Sequence, residues 1–183
     1  MEECNFCKES KFEVGQKTDY GSVIVQKIGN AKENSWFATL SPKTGGDPKK
    51  DFSIQLIPSN HLRYFSEIHS NKKLAENYGL AFASISRAIS EILKEQGGEI
   101  NKIPIGTYGK CKHEDEHIHI KIFPYRGNIG QPFTVDSSFG KKEINLDKDT
   151  GEEFIKLKPV RKTNIPNENL EYLSQRLIKL LNN

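Results

Sequence analysis

The sequence predicts an α+β fold in which an antiparallel sheet packs against one long helix. Three features of the chain support this prediction. Short segments rich in β-branched or alternating apolar residues lie on both sides of a long stretch with helical spacing, and a second amphipathic helix ends the chain. Hydrophobic residues make up 35% of the 183 residues and charged residues 28%, a composition typical of a soluble folded domain.

Three strands are predicted before the long helix. Residues 21–28 are dominated by Val and Ile, and residues 35–41 form a second apolar segment. In residues 51–58 apolar and polar side chains alternate, which is typical of a half-buried strand. Turn-forming Pro and Gly residues occupy 42–50, so we expect the second and third strands to form an antiparallel hairpin.

The long helix and two further strands follow. Apolar residues recur at helical spacing over residues 72–96, and Gly97 and Gly98 end the helix. Strands are predicted at 103–108 and 116–123, and the second of these alternates strictly.

The C-terminal part is predicted to be less regular. Residues 127–165 are loop-rich with short extended pieces, and a helix with leucines on one face covers about 168–181. We therefore divide the chain into a domain at 1–126 and a C-terminal extension at 127–183.

The bulk composition argues against several classes of protein. The formal net charge of +3 is small, and a nucleic-acid-binding protein usually shows a denser basic stripe. No apolar run approaches the roughly 18 residues that a membrane span needs. The N-terminus is acidic and lacks the apolar segment of a signal peptide, so we expect a cytoplasmic protein with no membrane partner. Three cysteines argue against a disulfide framework and leave metal binding open for the close pair, Cys4 and Cys7.

The strand at 116–123 carries the residues on which the functional interpretation depends. Its alternation places isoleucines on one face and His117, His119 and Lys121 on the other, at intervals of roughly 6–7 Å. Asp115 joins this second face if the strand begins earlier. Lysine supplies a point charge for phosphate, and a neutral imidazole can attack phosphorus. The pattern indicates a phosphate site or, alternatively, a solvent-exposed strand face that carries two histidines by chance.

Four motifs, taken in order along the chain, resemble those of the histidine-triad (HIT) family. Residues 117–124 resemble its triad motif, in which histidines alternate with apolar residues before a proline. The Cys-Asn-Phe-Cys-Lys at 4–8, the Leu-Ser-Pro at 40–42 and the Leu-Ile-Pro-Ser-Asn-His-Leu at 56–62 are similar to three further motifs of the family. The resemblance covers about residues 4–126 and implies a HIT-like fold, with a five-stranded antiparallel sheet packed against the long helix.

The resemblance also implies a catalytic mechanism. His119, the middle residue of the triad, attacks the α-phosphorus of a nucleotide and becomes transiently nucleotidylated, and water or another acceptor then releases the nucleotide. His117 and Lys121 complete the implied catalytic set. The implied nucleotide-binding residues at the end of the second strand are Thr39, Leu40 and Ser41.

This chain departs from the family pattern at three places. Lys121 replaces the third histidine of the triad, and because a charged lysine cannot accept a hydrogen bond, we expect it to contact phosphate directly. Thr39 stands where many members place an acidic or amide residue on the ribose. Asp115 belongs to an acidic run before the triad, which is either a solvated turn or part of the nucleotide site, where it favours a cationic leaving group or helps a proton transfer.

A structural zinc site is implied by the zinc-bearing branch of the same family. A closed zinc site needs four ligands, so the CxxC pair needs two more. The resemblance assigns these to the histidine that follows the Ile-Pro motif and to the first triad histidine, which completes the set Cys4, Cys7, His61 and His117. The alternative is a frayed N-terminus with free thiols.

Three functions follow from these observations. The first is a hydrolase of nucleoside 5′-phosphate derivatives, either dinucleoside polyphosphates or nucleoside phosphoramidates. The second is a nucleotidyltransferase or phosphorylase with the same intermediate, and the third is a nucleotide-binding module with little turnover. The resemblance favours a homodimer. The lysine-rich extension is either a solvated surface or a contact for a larger substrate such as an adenylated polynucleotide, and the Lys43–Lys50 loop could reach a distal phosphate.

Overall fold

The computed structural model describes residues 4–97, 105–110, 116–126, 141–158 and 162–182. Three α-helices and nine strands form over these ranges. The helices are α1 (Asn5–Glu9), α2 (Lys72–Glu95) and α3 (Asn167–Leu181). The strands are β1 (Val23–Ile28), β2 (Trp36–Leu40), β3 (Lys43–Thr44), β4 (Ile54–Pro58), β5 (Ile105–Lys110), β6 (His119–Pro124), β7 (Lys141–Leu146), β8 (Glu153–Lys158) and β9 (Thr163–Asn164). Short 3₁₀ turns lie at Lys32–Asn34 and Phe65–Ser70.

The main sheet has five antiparallel strands in the order β1-β2-β4-β6-β5. The α+β class, the antiparallel sheet, the long helix and the C-terminal helix are therefore confirmed. The predicted hairpin is also confirmed, because β2 pairs with β4 in a register that joins Trp36 to Pro58 and Leu40 to Ile54. Strand ends differ from the predicted ones by two or three residues at several places.

Helix α2 covers one face of this sheet. The Asn71 side chain accepts a hydrogen bond of 3.1 Å from the Leu74 amide, which caps the helix start. Trp36 is fully buried on β2, and its indole nitrogen donates to the Leu74 carbonyl at 2.9 Å. Ile120 and Ile122 of β6 pack into the same core, as does Ile118 just before the strand, and alternation predicts this.

Helix α3 shares that core. Leu173 and Leu177 are fully buried in the cluster that contains the α2 and sheet residues. The Asn182 side-chain amide donates to the Val25 carbonyl of β1 at 3.0 Å, which fixes the end of the helix to the sheet edge. The boundary at residue 126 therefore does not separate two cores.

The other face of the sheet is partly covered by the N-terminal segment. Phe6 of α1 packs with Phe12 and Val14 against a small apolar cluster, formed by Ile24, Phe37 and Ile57. Helix α1 is not predictable from the sequence, because a helix of five residues is too short to show a hydrophobic period.

The C-terminal extension contains a regular hairpin where a loop-rich segment was predicted. Strands β7 and β8 pair antiparallel from Lys141 with Lys158 to Leu146 with Glu153. After this hairpin, β9 pairs with β3, and the Ile165 amide donates to the Pro42 carbonyl at 2.9 Å. Over the described residues, the helices are too short or too polar to cross a membrane.

The first prediction tests whether α3 is part of the core. Leu177 has no exposed surface, whereas Leu80 on α2 is 60% exposed. Leu177→Ala should lower the free energy of unfolding by about 2–5 kcal/mol, because it removes buried methyl groups and leaves a cavity. Leu80→Ala should change it by less than about 0.5 kcal/mol. Urea unfolding followed by circular dichroism measures both, and equal values for the two variants would contradict the placement of α3.

Candidate functional site

The polar face at β6 is buried beneath other parts of the chain. His117, His119 and Lys121 are only 1%, 3% and 2% exposed to solvent. The alternative of a solvent-exposed strand face is therefore wrong. The strand itself begins at His119, and His117 lies just before it. The Ile118 amide donates to the Leu62 carbonyl at 2.9 Å, which keeps the chain in place ahead of the strand.

Four side chains beside this face form a cluster that can hold a metal ion. The ligand atoms of Cys4, Cys7, His61 and His117 all lie within 4.8 Å of one another. Nδ1 of His117 is 3.7 Å from the Cys4 sulfur and 3.6 Å from the Cys7 sulfur. Nδ1 of His61 is 3.6 Å from the Cys7 sulfur. The structure thus brings together the four ligands that the resemblance implies.

Local geometry explains why these residues meet. Cys4 and Cys7 are three residues apart around α1, so both sulfurs face one side of that helix. His61 lies shortly after the end of β4, and His117 lies shortly before the start of β6. Because β4 and β6 are antiparallel neighbours, the end of one is beside the start of the other.

Hydrogen bonding and burial prepare His117 for metal binding. Its Nε2 lies 2.9 Å from the Pro58 carbonyl oxygen, which can only accept, so Nε2 carries the hydrogen and Nδ1 presents its lone pair to the cysteines. Burial is the main cause that lowers the pKa of His117 to about 4, and the nearby His61 lowers it further. The ring is therefore neutral at pH 7, the form that coordinates a metal. Both nitrogens are engaged in this way, which leaves neither for proton transfer to a substrate.

A cavity of about 860 Å³ adjoins the cluster. His119, Lys121, Gln55 and Ser41 lie along the part formed by the sheet, and Phe6 lies over His119 with the two ring centres 4.9 Å apart. Other parts of the described chain complete the lining with charged and aromatic side chains, which include Glu9, Tyr20, Arg63, Glu116 and Lys162. The cavity therefore offers an imidazole and several cations to one bound molecule.

His119 is held in a defined orientation at this cavity. Its Nδ1 lies 3.3 Å from the carbonyl oxygen of His117. A carbonyl oxygen can only accept, so Nδ1 carries the hydrogen in this contact. In the neutral ring the lone pair is then on Nε2, the atom that can act as a nucleophile.

The four predicted nucleotide-binding residues have four different positions. Ser41 lines the cavity, and its hydroxyl donates to the Lys43 carbonyl at 2.9 Å. Thr39 is fully buried on the same face with its hydroxyl 3.4 Å from the Gln55 amide oxygen, and it is not among the lining residues. The prediction that the Leu40 side chain lies at the nucleotide site is wrong, because alternation along β2 turns this side chain into the core beneath α2. Asp115 lies outside the described residues.

Several lining residues were not predicted from the sequence. Gln55 pairs with Lys121 across β4 and β6, and its polar position in the alternation of 51–58 was a usable signal. Tyr20, Arg63 and Lys162 come from irregular segments, where the sequence offers no periodic signal.

The second prediction concerns the metal cluster. His61→Ala should lower the bound metal from one ion per chain towards zero, because only three ligands remain. His69→Ala provides a matched control, since His69 is also exposed but lies outside the cluster. Elemental analysis of the purified variants measures the amount and identity of the metal. Full occupancy in His61→Ala would contradict the four-ligand site.

Comparison with known proteins does not assign the chain to a family. No family model, no curated protein and no solved structure matches it. The likeness to the HIT family therefore remains a prediction from the sequence motifs, and the function has to be argued from the residues of the site.

Proposed function

We propose that this protein is a nucleotide-phosphate hydrolase in which His119 forms a covalent nucleotidyl intermediate. The observation that supports this most directly is the position of His119, which lines a cavity of about 860 Å³ with its nucleophilic lone pair on Nε2. The preferred substrates are nucleoside 5′-phosphate derivatives. The same cavity is lined by side chains suited to bind phosphate oxygens. Two are cations, Lys121 and Arg63, and two are neutral and polar, Gln55 and Ser41.

The reaction has two displacement steps. In the first, the Nε2 lone pair of His119 forms a bond to the α-phosphorus, and the bond from phosphorus to the leaving group breaks, with its electron pair going to the leaving atom. In the second, a water oxygen attacks the same phosphorus, the P–N bond breaks with its electron pair returning to Nε2, and the proton released by the water passes to bulk solvent. This division of one displacement into two is covalent catalysis.

The His117 carbonyl assists the first step. When Nε2 bonds to phosphorus, the imidazole ring becomes positively charged, and the Nδ1–H bond to the carbonyl oxygen stabilises that charge. His117 therefore acts through its backbone as a positioning residue for His119. Its side chain belongs to the metal cluster.

Lys121 supplies positive charge next to His119. The two residues lie two positions apart on β6 and line the same cavity. A lysine cannot accept a proton from His119 as a third histidine could, so its contribution is electrostatic. It stabilises the negative charge that develops on the phosphoryl oxygens and on the leaving group.

Zinc is the metal that best fits the cluster. Bond lengths of about 2.3 Å to sulfur and 2.0–2.1 Å to nitrogen place tetrahedral sulfur and nitrogen ligands about 3.5 Å apart. The observed sulfur–nitrogen distances of 3.6–3.7 Å agree with this value. Four protein ligands would leave no open position, so a bound ion would have a structural role and would hold α1 against the strands. A homodimer and a cytoplasmic location stay predictions.

A phosphorylase or nucleotidyltransferase is the second candidate. It uses the same intermediate, but a phosphate or sugar-phosphate replaces water in the second step. Lys121 favours this reaction, because an ammonium group beside the intermediate also attracts an anionic acceptor.

The third prediction tests the nucleophile. His119→Asn should reduce kcat more than about 1,000-fold, because no covalent intermediate can form. The assay uses diadenosine tetraphosphate and adenosine 5′-phosphoramidate, each with and without added phosphate. Release of AMP without phosphate indicates the hydrolase, and phosphate-dependent release of ADP indicates the phosphorylase. His69→Asn is the control, and turnover retained by a folded His119→Asn variant would reject the mechanism.

The fourth prediction tests the charge of Lys121. Lys121→Gln should lower kcat/KM about 10- to 100-fold, as expected when a charge-assisted contact of about 1.5–3 kcal/mol is lost from the transition state. Lys72→Gln is a matched control, since its ammonium group is exposed on α2. An unchanged kcat/KM for Lys121→Gln would show that this residue does not contact the reacting phosphate.

A further inference from the structure

The C-terminal extension contributes a cation to the cavity of the 4–126 segment. Lys162 lines this cavity, although it precedes β9 in the extension. The residues after it are fixed by backbone pairing, because Thr163 and Asn164 pair with β3. The Ile165 amide also donates to the Pro42 carbonyl at 2.9 Å, and the Ile165 side chain is buried in the main core.

Helix α3 provides a second attachment between the C-terminal extension and the loop that follows β2. The Asn169 side-chain amide donates to the carbonyls of Pro48 and Lys49 at 3.0 and 3.1 Å. The extension and the Lys43–Lys50 loop therefore form one unit at the end of β2. In this unit, the Lys43 ammonium lies 5.5 Å from the centre of the Tyr20 ring, which also lines the cavity.

The backbone of Lys162 is anchored beyond the end of β2, because the next residue, Thr163, pairs with Thr44 of β3. In the sheet register, Leu40 is level with Ile54 and Ile122, so Ser41 is level with the residue that follows Ile122. His119 is thus two strands across and four residues along from Ser41. With strands about 4.8 Å apart and a rise of about 3.4 Å per residue, the two α-carbons are about 17 Å apart, a span that the long Lys162 side chain can shorten. Lys121 lies between these two ends.

The charges of the lining favour an extended anion. Arg63, Lys121 and Lys162 are cations, whereas Glu9 and Glu116 are acids. Burial raises the pKa of Glu9, because it disfavours the charged form of this carboxyl group. A molecule with one phosphate at His119 and another negative group towards the end of β2 would have Lys121 and Lys162 as cationic partners.

We propose that Lys162 binds a second phosphate group of the substrate, distinct from the phosphate that His119 attacks. This inference rests on the proposed nucleotide site and makes the C-terminal extension a determinant of its specificity. The second phosphate could belong to the leaving group or to the ribose. Both sources present the same chemistry to an ammonium group.

Isothermal titration with three nucleotides tests the proposal. The ligands are AMP, α,β-methylene ADP, which carries a second phosphate on an uncleavable leaving group, and adenosine 3′,5′-bisphosphate, which carries one on the ribose. One of the two bisphosphates should bind the unaltered protein about tenfold more tightly than AMP does, as expected for one additional charged hydrogen bond. Which of the two does so identifies the source.

Substitution of Lys162 should remove this preference. Lys162→Gln should bind the preferred two-phosphate ligand about tenfold more weakly and AMP unchanged, because only the second phosphate loses its partner. Lys162→Arg should keep the preference, since it keeps the charge. Lys179→Gln is the control, since Lys179 is exposed on α3 and does not line the cavity. Circular dichroism establishes that each variant is folded.

The outcomes separate this inference from the proposed function. If AMP binds but neither bisphosphate binds more tightly, or if Lys162→Gln keeps the preference, the inference is wrong and the proposed nucleotide site stands. If the unaltered protein binds none of the three nucleotides, the proposed function is wrong and the inference falls with it.

Discussion

The site depends on the way His117 uses its two ring nitrogens. Nε2 donates to the Pro58 carbonyl at the end of β4, while Nδ1 faces the two cysteine sulfurs of the N-terminal segment. One side chain thereby connects β4, the start of β6 and α1. The backbone carbonyl of His117 lies against the His119 ring, and the side chain of Ile118, between them in the chain, packs into the core. The metal cluster and the cavity are two parts of one arrangement.

Burial of charge and polarity distinguishes the two faces of the sheet. The face beneath α2 is apolar, whereas the other face carries buried Lys121 and His119 beside a cavity. A buried ammonium group loses its hydration, which is costly unless charged or polar groups compensate. A chain that needed only stability could place an apolar residue at position 121. The charge of Lys121 is consistent with the anion-binding role proposed for this cavity.

Much of this arrangement follows from local patterns in the sequence, and the rest follows from distant contacts. Alternation predicted that His119 and Lys121 share a face, and the motif resemblance predicted the four residues of the metal cluster. Neither could show that this face is buried, because the covering segment lies more than a hundred residues earlier in the chain. Lys162 was not placed at the cavity for a similar reason. The pairing of β9 with β3 spans two residues on each strand, too few to produce a period.

The shortness of α1 has a consequence for the redox state of the protein. A helix of five residues is not stable alone in water, and its N-cap residue, Cys4, makes no side-chain capping hydrogen bond. The cysteines at both ends of its first turn hold it in place, and Phe6 between them covers His119. Oxidation of either thiol would remove a ligand and release this cover. The chemical state of two sulfur atoms would then control the access of water to the imidazole of His119.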